Sequence, residues 1–241
     1  KRLIDSAVRA GADSVKFQTY LTEKRVSKDS PIFNILKECE LPFEAFEKLK
    51  NHAEGQEIDF FSTPFDYESV YYLQEIGVNL LKIASFDVVN LKLISQIANT
   101  KKTVIMSVGM ADLEEIRDAY RILKSQTQKI AILHCISAYP TNEKDAKLKA
   151  IGLLKEEFDC VIGQSDHTND IFTSIASIPL GICAIEKHVN IDKIKTPDSS
   201  FSIDPDKLND LKQISRKIFL NFNKKKIKNN IIKNIKFRRS I

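Results

Sequence analysis

Short runs rich in β-branched and aromatic residues recur along the chain, and amphipathic stretches fill the spaces between them. Seven runs predict strands: Ser14–Gln18, Asp59–Ser62, Leu80–Ser85, Thr103–Val108, Ile130–Ile136, Cys160–Gln164 and Cys183–Val189. Most are near-continuously apolar, the pattern of parallel strands covered on both faces. Between them run stripes at helical spacing. Phe46, Leu49 and Ala53 form one, ending near Gly55; Leu113, Ile116, Ala119, Tyr120 and Leu123 form another; Leu208, Leu211, Ile214 and Ile218 follow the last strand. The chain opens inside a helical pattern, with Leu3, Ile4, Ala7 and Val8 before a stop at Gly11. An orphan helix and seven strand–helix units predict an α/β protein, a (β/α)8 TIM barrel whose first strand is missing from this chain. A doubly wound sheet is the alternative, but no G-x-G-x-x-G loop follows any strand.

The polar residues change this picture from a scaffold to an enzyme. Nearly every predicted strand ends in a small polar cluster: Lys16 and Gln18; Ser62 and Thr63; Lys82, Ser85 and Asp87; Ser107; His134, Ser137 and Tyr139; Ser165, Asp166 and His167; Glu186 and His188. In a barrel these ends meet at one rim, where active sites lie. Lys16 and Lys82, with Ser85, Ser107 and Ser165, suit a phosphate pocket of point charges and hydroxyl donors. Taken singly, each Lys reads equally well as a snorkelling or ion-paired side chain. His167 and His188 end consecutive strands and suit a divalent metal completed by oxygen ligands from substrate or water. Two unrelated, hydrogen-bonded histidines are the plain alternative. Glu186 and Asp166 flank the pair as supporting partners or general bases. His134 and Cys135 point to opposite faces of one strand, which argues against a Cys–His nucleophile.

At 241 residues, with 43% hydrophobic and 29% charged residues, the chain suits one soluble barrel-sized domain. The net charge of +5 does not imply nucleic-acid binding. Eight of the basic residues and no acid lie between Asn221 and Ile241, leaving 29 basic against 32 acidic residues elsewhere. The tail reads as a solvated linker. Cys39, Cys135, Cys160 and Cys183 show no C-x-x-C spacing, and three of them lie in apolar runs, so reduced, buried thiols in a cytoplasmic protein are expected. No apolar run reaches the roughly 18 residues of a spanning helix, so no membrane partner is expected.

Five segments resemble the sialic-acid (nonulosonic-acid) synthases: Val15-Lys16-Phe17-Gln18-Thr19, Phe61-Ser62-Thr63-Pro64-Phe65, Lys82-Ile83-Ala84-Ser85, Gly163-Gln164-Ser165-Asp166-His167-Thr168 and Ile185-Glu186-Lys187-His188. The resemblance runs from Lys1 to about Leu220. It implies condensation of phosphoenolpyruvate with an N-acetylated amino sugar, giving a nonulosonic acid and free phosphate by C–O cleavage. It also implies that Lys16, Ser85, Ser107 and Ser165 bind phosphoenolpyruvate, with Gln18, Thr63 and Lys82 lining the same pocket. His167 and His188 match its metal ligands, usually for manganese, with magnesium or cobalt as alternatives. Tyr139 and Asp198 match sugar-contacting positions. Asp87 stands where the family has a Glu near the reacting carbons, one methylene shorter. With His167, His188 and Glu186 it completes the catalytic candidates. Ser137 joins the substrate-binding set; with Lys82–Phe86 and Thr196–Ser202 it makes the motifs look most like the pseudaminic-acid branch rather than N-acetylneuraminate synthases.

The family also implies a Glu on the strand before Lys1, a homodimer, and a C-terminal antifreeze-like domain reaching the partner's site with an Arg. On that reading 1–220 is the barrel and 221–241 the basic linker. A barrel short of one strand, binding a sugar or phosphate without turnover, is the reading of another class.

Overall fold

The computed structural model describes residues 1–191 and 195–222. The linker expected over 221–241 therefore lies, from residue 223 onward, outside the described residues. Seven parallel strands form one sheet in strict sequence order: β1 (Ser14–Thr19), β2 (Asp59–Pro64), β3 (Leu80–Ile83), β4 (Thr103–Ser107), β5 (Ile130–Cys135), β6 (Val161–Asp166) and β7 (Ile185–Lys187). Helix α1 (Arg2–Arg9) precedes β1, and α2 (Thr22–Arg25), α3 (Phe33–Cys39) and α4 (Phe43–Glu54) follow it. The remaining crossovers carry α5 (Tyr67–Glu75), α6 (Leu91–Asn99), α7 (Leu113–Lys124), α8 (Ala150–Glu157) and α9 (Phe172–Ser177), and α10 (Pro205–Phe222) closes the described chain. This is the strand order and handed repetition of a (β/α) barrel short of one strand.

All seven predicted strands form, and the three apolar stripes lie on α4, α7 and α10. Two ends differ. β3 stops at Ile83, and Ser85–Val89 turns into a 3-10 helix, so Ser85 and Asp87 stand above the sheet rather than in it. β7 spans three residues, leaving His188 just beyond its end.

The main core lies between the sheet and its helices. Leu81, Ile83, Val104, Met106, Ile132 and Ile162 pack there with Leu73, Ile94, Ile97, Ala119, Leu123 and Ile151. Strand alternation then assigns the other face to the barrel interior. Register links Lys16 to Phe61, Gln18 to Thr63, Lys82 to Ile105, Cys135 to Ser165 and Ser165 to Glu186. Partners in register share a face, so one periodicity separates an apolar outer core from a polar interior. Gly163 belongs to that interior: a Cβ there would meet Leu133 Cδ2 and the Ala184 carbonyl at 2.6 Å.

The same alternation turns several expected rim residues outward. Ser62 Oγ bonds Thr19 Oγ1 at 2.7 Å, and His134 Nε2 lies 2.8 Å from the Ala146 carbonyl. Asp166 faces away from Glu186 and pairs with Lys187 at 2.9 Å, both side chains at most 2% exposed. It also accepts from the Thr168 N–H and the Ser174 hydroxyl. Asp166 thus fixes the turn that follows β6 and is no general base. The cysteines depart from expectation too. Only Cys135 is buried; Cys160 is half-buried, and Cys39 and Cys183 are exposed. Cys183 precedes β7 rather than joining it, which explains its exposure.

β1 and β7 are the sheet's edge strands. Helix α10 spans the gap between them on the outside: Lys212 bonds Asp13 at the entry to β1, and Leu211 packs with Ile171 and Ile203. Among the described residues no helix is long and apolar enough to cross a membrane.

A buried charge that loses its partner destabilises by several kcal/mol, more than either charge contributes singly. Lys187→Met is therefore expected to cost about 3 kcal/mol through uncompensated Asp166. Urea denaturation near pH 7 measures it, and an unchanged midpoint would contradict the assignment.

Candidate active site

Three charged side chains meet inside the sheet. Glu186 on β7 lies 3.9 Å from Lys16 Nζ on β1 and 3.7 Å from Lys82 Nζ on β3. Lys82 donates to Ser107 Oγ at 2.6 Å, and Ser165 Oγ donates to Glu186 at 2.8 Å. Five residues expected at a phosphate pocket or its flank are thus joined through one carboxylate. Burial alone would raise the pKa of Glu186, but Lys16, Lys82 and the Ser165 hydroxyl outweigh it and hold the carboxyl down to about 2. Such a group stays ionised near neutrality and is a poor proton acceptor. Of the two roles expected of Glu186, supporting partner or general base, the geometry favours the first, as a counter-anion for two lysines. Burial pushes Lys82 below the ordinary lysine range, with Glu186 opposing.

The ion pairs are loose. Both exceed hydrogen-bonding distance, and Glu186 Oε2 is buried with no hydrogen-bond partner. Two cations sharing one anion leave a net positive charge, which suits a second anion. Around them, Ser85 Oγ accepts from the Met110 N–H at 2.8 Å, while Gln18 and Thr63 follow Lys16 and Phe61 on the interior face. Gln18 is exposed at the rim and Thr63 is buried.

His167 and His188 converge, with ring centroids 5.5 Å apart. Burial holds His167 down to about 4, so its imidazole is neutral near pH 7. Its Nδ1 lies 2.9 Å from the Ile136 carbonyl, which can only accept, so the proton sits on Nδ1. That leaves the Nε2 lone pair turned inward, 3.4 Å from Ser165 Oγ. His188 Nδ1 pairs with Asp198 at 3.2 Å, and that contact holds the Asp198 carboxyl below its ordinary range. A carbonyl behind one imidazole and a carboxylate behind the other are the orienting partners that metal-binding histidines use. The donor set fits a divalent cation. Among the described residues no cluster of three or more His, Cys, Asp or Glu accompanies them.

Aromatic rings wall this corner. Tyr139 lies 4.3 Å from the His167 ring, and Phe201 sits 5.0 Å from Tyr139 and 4.9 Å from His188. Phe201 was not among the sequence candidates; it lies in a short 3-10 turn with no periodic signal. Ser137 Oγ, two residues before Tyr139 in the chain, is buried with no hydrogen-bond partner.

Asp87 stands across the mouth. It is buried, its Oδ2 has no hydrogen-bond partner, and burial raises its pKa to about 6. A carboxyl poised near neutrality can hold or release a proton during turnover. Arg25, also absent from the sequence candidates, lies near enough to oppose that rise.

Residues 3–226 match the model of the NeuB family. The chain belongs to the NeuB family. Among curated relatives, it is 38% identical to an N,N'-diacetyllegionaminic acid synthase of Campylobacter jejuni, over 86% of this chain and 68% of that one. It is 33% identical to a pseudaminic acid synthase of Helicobacter pylori, over 85% of this chain and 65% of that one. A crystal structure of the N-acetylneuraminic acid synthetase of Leptospira borgpetersenii superposes with a TM-score of 0.93 at 35% identity, covering all of this chain and 85% of that one. Across the curated relatives this NeuB chain spans between 60% and 68% of their length.

Because folding raises the Asp87 pKa, its contribution to stability is full below the ordinary value of 3.8 and is lost as pH rises through about 6. Asp87→Asn carries no such charge. Its stability relative to the native chain is therefore expected to increase between about pH 4 and pH 7. Denaturant melts at the two pH values test this; a pH-independent difference would contradict it.

Proposed function

We propose that this NeuB chain is the barrel of a nonulosonic acid synthase, which condenses phosphoenolpyruvate with an N-acetylated amino sugar. The single observation that best supports the reading is the pairing of two interior lysines around one carboxylate, beside two converging histidines. Lys16 and Lys82 bind the phosphate and carboxylate of phosphoenolpyruvate, assisted by the hydroxyls of Ser85, Ser107 and Ser165. Glu186 stands between the two lysines as their shared counter-anion inside the barrel. Gln18 and Thr63 line the same pocket.

A divalent metal, manganese by family resemblance and magnesium or cobalt as alternatives, would be held by His167 and His188 and would polarise the sugar aldehyde. Tyr139, Ser137 and Asp198 orient the sugar at that corner. C3 of phosphoenolpyruvate forms a bond to the aldehyde carbon, whose oxygen takes up a proton. Water then adds at C2, and the bond from C2 to the phosphate oxygen breaks, leaving a 2-keto acid and inorganic phosphate. Asp87, its pKa raised by burial to about 6, is the residue suited to move a proton during these steps.

The residue motifs lean toward pseudaminic acid, whereas identity is higher with the diacetyllegionaminic synthase. A sugar bearing acetamido groups fits both. Homodimerisation and a cytoplasmic setting complete the proposal.

The test is phosphate release from phosphoenolpyruvate, with manganese and either N-acetylmannosamine or a diacetamido hexose. The native protein is expected to release phosphate only when a sugar is present. His167→Ala and His188→Ala are each expected to lower manganese affinity by about tenfold or more and to reduce turnover with it. Phosphate release without any sugar, or unchanged metal binding and turnover in both variants, would reject the assignment.

A further inference from the structure

Arg25 is the least explained charge at the mouth. It ends α2, a single helical turn mounted directly beyond β1. That mount is pinned from three sides. The Leu21 N–H donates to the Asp66 carboxylate and the Thr22 N–H to the Glu40 carboxylate, each at 2.8 Å, and the Tyr20 hydroxyl donates to the Leu36 carbonyl at 2.9 Å. Asp66 also caps α5, so the turn is anchored to the next strand's exit.

The guanidinium carbon lies over three aromatic rings: 3.8 Å from the centroid of Phe65, 4.7 Å from Tyr20 and 5.9 Å from Phe86. Phe65 and Phe86 are themselves stacked, 5.6 Å apart with planes 9° from parallel. Arg117 and Arg121, by contrast, pair with carboxylates on the outer helices. Arg25 has no carboxylate within ion-pairing distance among the described residues. Its one hydrogen bond there, to Gln18 Oε1, is long at 3.5 Å. A guanidinium offers five N–H donors in a fixed fork, so most of this one's donors stay available beside a rim residue of the site.

We infer that Arg25 is a specificity-determining residue, which donates hydrogen bonds to an acyl or hydroxyl oxygen of the amino sugar remote from its aldehyde. The inference rests on the synthase reading and extends it. The charges of phosphoenolpyruvate are met deeper in the barrel by Lys16 and Lys82. A neutral sugar arm at the mouth has only oxygen acceptors to offer a cation. The aromatic stack holds the fork in place before the sugar arrives, so little side-chain entropy is lost on binding. The face of Phe86, 43% exposed, provides an apolar surface for the methyl of an acyl group beside the same donors.

Steady-state kinetics of the manganese-supplied protein test this with the native chain, Arg25→Met and Arg25→Lys. The sugar is N-acetylmannosamine or a diacetamido hexose, whichever the native protein turns over faster. Arg25→Met is expected to raise KM for the sugar about tenfold, the worth of a charge-assisted hydrogen bond. The KM for phosphoenolpyruvate should stay within about twofold of native. Arg25→Lys, which keeps the charge without the stacked fork, should fall between. It decides the matter if the Met variant melts early. Unchanged sugar KM in both variants overturns the inference, as does an equal rise in KM for phosphoenolpyruvate. A native protein inert with every sugar rejects the synthase reading instead, and the role of Arg25 falls with it.

Discussion

The carboxylate of Glu186 between Lys16 and Lys82 is the constraint on which the rest of the site depends. Two ammonium groups inside a barrel repel each other and lose their hydration, and the carboxylate between them offsets both costs. Glu186 reaches both because β1, β3 and β7 direct these three residues to the same interior. Ser107 and Ser165 complete the arrangement by bonding one lysine and the carboxylate. The result is a fixed cationic floor whose charge is only partly neutralised.

Function in this NeuB chain follows from how the strands divide labour between their faces. Outward residues build the apolar core and the structural Asp166–Lys187 pair; inward residues build the floor. Adjacent positions on β7 show the division at its sharpest, with Glu186 serving the interior and Lys187 the shell. Beyond the strand ends the histidines stand in an aromatic corner, the Nδ1 of His167 held by the Ile136 carbonyl and that of His188 by the Asp198 carboxylate. Asp87 and Arg25 occupy the facing rim.

Much of this was legible in the sequence because parallel strands write themselves as apolar runs and a barrel gathers their ends. All seven strands and the lysine, serine and histidine candidates follow from that rule. The errors share one physical origin. A polar residue at a strand end belongs to the rim only if its side of the pleat faces inward, and His134, Ser62 and Asp166 lie on the other side. Alternation alone could have separated Asp166 from Glu186. The role of Glu186 was not legible, because its ionisation depends on two lysines distant in sequence. Arg25 and Phe201 lie in single short turns, too brief for a period to mark which way a side chain turns.

The central claim, that the interior lysines form the floor for an anionic substrate, is tested most directly by calorimetry of phosphoenolpyruvate binding to the native chain and to Lys16→Met. Lys16 is partly exposed, so the variant is expected to fold while Lys82 keeps Glu186 as its partner. The account predicts a Kd weakened by about tenfold or more with the melting temperature little changed. An unchanged Kd in a folded Lys16→Met variant would contradict it.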